Sequence, residues 1–202
     1  MSNDEWIFFH PVVNSESVNE IQKKLSKVVD ISREDNLLLI KQSGWVAVPV
    51  ESGDHFSGDD RDKLLDCVLE YGYREIIAVP LEKLNDFPAA FIIPSTASAV
   101  EEFNRKCGGF WFAIFAGKPD WVILCTKLDY LVITGKPSFV RQFLGSEIDE
   151  AFSLFYKFAS DCTYESVTWQ NRLFFVLEQL KTEYPSAEAD RAIDLFPPND
   201  LG

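Results

Sequence analysis

Histidine chemistry has only two candidates in this chain, and the better placed of them lies in a short acidic stretch. Of the two histidines, His55 lies within Glu51-Ser-Gly-Asp-His-Phe-Ser-Gly-Asp-Asp60, between Asp54 and Phe56. A carboxylate beside an imidazole raises its pKa and orients the ring, which suits general acid–base work. A small hydrolase or transferase with a site near His55 is therefore one reading. Against it, the stretch matches no nucleophile motif, and spacing alone pairs no Ser or Cys with His55. His10 abuts Pro11 at the end of an apolar run, a setting typical of a structural residue.

The same stretch offers Asp54, His55, Asp59 and Asp60 as ligands for a hard cation, which needs several oxygens. Their spacing departs from the Ca²⁺ loop D-x-[DN]-x-[DN]-G, and no second cluster completes a site. A solvated acidic loop leading into a helix N-terminus explains the residues without a metal, and no cofactor is expected. Gly135-Lys136-Pro137-Ser138 places proline where a phosphate-binding loop needs Ser or Thr. Cys107, next to Arg105 and Lys106, reads as a reactive thiol if those cations lower its pKa. The helix C-terminus at which it falls acts in the opposite sense. Cys67, Cys107, Cys125 and Cys162 show no C-x-x-C spacing, and each lies in or beside an apolar element. Four buried, reduced thiols are expected.

These candidates are carried on a chain of uneven charge. The net charge is −13 over 202 residues. Residues 1–60 hold 11 acidic against 5 basic side chains, and residues 147–202 hold 11 against 4. Residues 61–146 hold 10 of each. An acidic chain with no basic stripe lacks the Lys/Arg that neutralise phosphate, so nucleic acid and anionic membrane are not expected partners. No apolar run approaches the roughly 20 residues of a spanning helix. The acidic start, Met-Ser-Asn-Asp-Glu-Trp, lacks the basic region of a signal peptide. A cytoplasmic protein is expected.

The elements that must position these residues read as an α+β fold in one domain, residues 1–202, with a mainly antiparallel central sheet covered by helices. Trp6–His10 reads as a first strand. Ser17 with Glu20 resembles a capping box for a helix over 18–29. Leu37–Ile40 and Trp45–Val50 read as strands joined by a hairpin-length connection. Asp59 and Asp60 are good N-cap types for a helix over 61–71. Strands are expected at Glu75–Val79 and Phe91–Ile93, with a helix from Ser95 to about Lys106 before Gly108-Gly109. Phe110–Ala116, Trp121–Thr126 and Tyr130–Thr134 are apolar runs with short connections, the pattern of an antiparallel meander. Their continuous apolarity predicts cover on both faces. Pro137 opens a helix that ends at Gly145.

Residues 146–196 are expected to be a helical C-terminal subregion packed on the sheet. A first helix turns Ile148, Phe152, Phe155 and Phe158 inward. A second, over Val167–Leu180, carries the stripe Leu173, Val176, Leu177 and Leu180. A third, short helix is expected over Ala187–Leu195. The Phe stripe of 152–158 reads as core, with a partner-binding face as its other reading.

Three functions remain open. The chain reads first as an acidic protein-binding domain without catalytic activity, of inhibitor or immunity type, using Glu51, Asp54, His55, Asp59 and Asp60 against a basic protein partner. The second is the hydrolase or transferase near His55. The third is a self-associating structural domain, a homo-oligomer, suggested by 17 Phe and 5 Trp.

Overall fold

The computed structural model describes residues 6–30, 39–53, 55–56, 58–82, 85–126, 128–161 and 167–183. In chain order the elements are β1 (His10–Pro11), α1 (Ser15–Ser26), β2 (Val29–Asp30), β3 (Leu39–Ile40), β4 (Val46–Glu51), α2 (Asp59–Glu70), β5 (Glu75–Pro80) and β6 (Phe91–Pro94). There follow α3 (Ala97–Cys107), β7 (Phe112–Phe115), β8 (Trp121–Cys125), β9 (Tyr130–Gly135), α4 (Pro137–Leu144), α5 (Ile148–Asp161) and α6 (Val167–Glu183).

Strands β7, β8 and β9 make the expected meander, with Ile114 opposite Ile123 and Ile123 opposite Ile133. They are the centre of a seven-stranded antiparallel sheet in the order β1-β6-β5-β7-β8-β9-β4. Every residue of these three strands is buried. Side chains alternate between the faces of a strand, and the two faces have different cover. Trp121 stacks on Phe139 of α4 with ring centroids 4.9 Å apart, and Phe112 meets Phe103 of α3 edge-on at 5.0 Å. On the opposite face Tyr130 meets Phe155 of α5 at 5.7 Å. The fold is thus α+β, and one buried cluster runs from Phe9 to Leu180.

Local signals place α4 well. Pro137 stands in its first turn, and Gly145 ends it in the left-handed region at φ 68°, where its N–H reaches the Arg141 carbonyl at 2.9 Å. Helices α5 and α6 bury the expected stripes, with Phe152, Phe155, Leu173, Val176, Leu177 and Leu180 inside and Phe158 partly covered. The helix expected over Ala187–Leu195 lies outside the described residues.

Several boundaries differ from the sequence reading. Helix α1 begins earlier, because the Asn14 side chain accepts from the N–H groups of Glu16 at 2.8 Å and Ser17 at 3.2 Å, displacing the Ser17 capping box. Its far end gives way to strand at Val29, which pairs with Ile40. Strands β3 and β4 are not a hairpin. β3 pairs with β2, whereas β4 joins β9 at the edge of the large sheet, from Val46 opposite Gly135 to Glu51 opposite Tyr130. Of the expected first strand, Trp6–His10, only His10 pairs, with Ile92, and β1 continues to Pro11, which pairs with Phe91. Helix α2 starts at Asp59 behind Gly58, so Asp59, Asp60 and Asp62 occupy its first turn, where the helix dipole favours negative charge.

Candidate functional site

The chain passes from α4 on one face of the sheet to α5 on the other around edge strand β4. A cleft of about 410 Å³ opens there, lined by the end of β4, the first turns of α2, the end of α4 and one side of α5. Val50, Phe143, Phe155 and Phe158 give it an apolar floor, and Glu51, Asp60, Lys63, Lys157 and Asp161 supply charge around it. Leu154 belongs to the same lining and is 58% exposed.

The acidic residues singled out by sequence meet only in part. Glu51 and Asp60 share the cleft, Asp59 is exposed one position away on α2, and Asp54 lies outside the described residues. Burial raises the Asp60 pKa above the ordinary carboxylate value, while Lys63 and the Ser52 hydroxyl oppose that rise. The Lys63 ammonium stands 3.7 Å from the Asp60 carboxylate.

His55 is not on this surface. It is 1% exposed and lies with ring centroids 6.2 Å from both Phe103 and Phe112. The stretch expected to be a solvated loop is pinned inward. The Ser52 N–H donates to the Asp129 carbonyl at 2.9 Å, and the Ser52 hydroxyl donates to the His55 carbonyl. Asn104 of α3 accepts from the Phe56 N–H at 3.3 Å and donates to the Phe56 carbonyl. Phe56 is fully buried, so this one aromatic carries its neighbour His55 into the core. A partner cannot touch the His55 side chain while these contacts hold.

Cys107 is a free, buried thiol, as the sequence reading of the cysteines expects. Burial pushes its pKa up to about 12, an effect Lys106 opposes and Glu102 reinforces. Cys67, Cys107 and Cys125 are free and buried, and Cys162 lies outside the described residues. Among the described residues, no group of three or more His, Cys, Asp or Glu side chains is placed to hold a metal ion. No helix among them is long and apolar enough to cross a membrane.

The chain matches no protein-family model, no curated protein and no solved structure. The cleft must therefore be read from its own chemistry. That chemistry is an apolar floor with charge of both signs around it. Sequence reasoning missed Lys63, Leu154, Lys157 and Asp161. The i, i+4 pair Leu154–Phe158 is the signal that could have pointed to them, because it continues the apolar stripe of α5 onto a turn that also carries Lys157 and Asp161.

Proposed function

We propose that the protein is an acidic protein-binding domain, of inhibitor or immunity type, that engages a basic protein partner and performs no chemistry of its own. The observation that carries this reading is the meeting of Glu51, Asp60 and Asp161 around one apolar-floored cleft. The net charge of −13 supports it, since opposite charge on a partner speeds encounter. At physiological ionic strength such charges act over a Debye length of roughly 8 Å. The buried free cysteines fit a reducing, cytoplasmic setting, which belongs to the same proposal. A hydrolase or transferase near His55 has less support, because the side chain is buried against Phe103 and Phe112.

The test is a pull-down from the native cell at low and high salt, followed by kinetics with the partner it returns. Replacing Asp54, Asp59 and Asp60 together by Asn should slow association and flatten its salt dependence, with dissociation changing less. An unchanged on-rate and salt slope would remove this stretch from the interface. Recovery of no basic protein at either salt concentration would overturn the reading.

Self-association has one observation in its favour. Ile7, Phe8 and Val13 are exposed beside β1, the two-residue strand at the open edge of the sheet. Sedimentation over a range of concentrations decides it, and a monomer throughout would dismiss it.

A further inference from the structure

We infer that the cleft bounded by β4, α2, α4 and α5 receives an amphipathic basic segment of the partner. An apolar side chain of that segment packs on Leu154 and Phe158, and its Lys or Arg side chains face Glu51 and Asp161. This rests on the reading of the protein as a binding domain for a basic partner, and adds where that partner docks and through what chemistry.

Two observations specify the occupant. The first is apolar. Leu154 is 58% exposed although it continues the buried stripe of α5, and it borders a floor that includes Phe155 and Phe158. A cleft of about 410 Å³ falls in the range of roughly 300–1,000 Å³ typical of ligand-sized sites. Apolar anchors in a pocket ringed by polar groups are the usual energetic centre of an interface.

The second observation is charge. Asp60 and Lys63 pair with each other at 3.7 Å. Among the described residues, the Glu51 and Asp161 carboxylates and the Lys157 ammonium make no ion pair or side-chain hydrogen bond. The unpaired charge around the cleft is thus acidic in excess, on a chain that is itself strongly acidic. Cations complement this rim, and nucleic acid or an acidic lipid surface would be repelled by it. An apolar anchor flanked by cations is the face that an amphipathic basic helix offers to a groove.

The probe is a synthetic twelve-residue peptide built from Lys-Leu-Leu-Lys repeats, titrated into ¹⁵N-labelled full-length protein. A second peptide with every Lys replaced by Glu serves as control. The basic peptide should shift the amides of Glu51, Leu154, Phe158 and Asp161, and the acidic one should leave them in place. Leu154→Ser, at an exposed position, should weaken binding roughly tenfold with no change in melting temperature, and Asp161→Asn should reduce its salt dependence. The inference is overturned by basic-peptide binding weaker than about 1 mM, by equal shifts from both peptides, or by shifts that map elsewhere. Concentration-dependent shifts of the same amides in the free protein would assign the cleft to a second copy of the chain and also overturn it. If a basic partner is recovered from cells while the peptide maps elsewhere, the binding function stands and the cleft falls. If neither the partner nor the peptide binds, both fall.

Discussion

The Glu102 carboxylate accepts the backbone N–H of Phe8 at 2.6 Å, across 94 residues of sequence. It also accepts from the Ile7 N–H at 3.3 Å and stands 3.1 Å from the Lys106 ammonium. That ammonium sits 4.9 Å from the centre of the Trp6 ring. The residues before β1 thus reach the body of the fold by docking on α3, and Phe9 enters the core behind them.

Burial alone would push the Glu102 pKa up. The N–H groups of Phe8 and Ile7 and the Lys106 ammonium outweigh burial and hold it below the ordinary value of 4.5. Near that value the unfolded chain binds more protons, so Glu102 stabilises the fold above it and loses that effect as pH falls through the lower, folded pKa. Glu102→Gln should cost about 1.5–3 kcal/mol at neutral pH, the range for hydrogen bonds to a charged group. Urea melts at several pH values should show a shallower acid limb in the variant. An acid limb identical to that of the parent would refute the assignment.

Asn104 holds Phe56 by both its N–H and its carbonyl. Asn104→Ala should cost about 1–3 kcal/mol by leaving these groups unmet. Amide exchange at Phe56 should quicken by more than that of the β8 amides. Equal quickening at both places would mean that the contact does not pin this stretch locally.

Ile123 is fully buried in the central strand β8. Ile123→Asp should abolish folding, since an unpaired buried carboxylate costs several kcal/mol against a total stability of roughly 5–15 kcal/mol. Circular dichroism of the purified variant checks this, and an unchanged melting temperature would contradict it.

Cys67 and Cys107 are held as thiols by burial, which raises their pKa values to about 11 and about 12, and burial also holds Cys125 well above the ordinary thiol value. A thiol reagent near neutral pH should leave all three unmodified in the folded protein. After denaturation without reductant, titration should find four thiols, Cys162 included. Rapid native modification of Cys107 would show that its burial is not maintained in solution.

Sequence alone determined the elements whose signals lie within a few residues of one another. The meander β7–β9 follows from apolar runs with short connections, α4 from Pro137 and Gly145, and the inward stripes of α5 and α6 from helical spacing. Tertiary structure decided what depends on partners distant in the chain. Strand β4 left its sequence neighbour β3 for β9, because a strand's pairing is chosen by which edge buries its apolar residues, and that edge is built by other segments. The stretch from Glu51 to Asp60 looked solvated by composition, yet Asn104 and the core pull Phe56 and His55 inside. Glu51 and Asp60 meet Asp161 only because α5 crosses to the far face around the sheet edge. Local periodicity records which side of an element is apolar. Packing then decides which elements face one another, and so which charges share a surface.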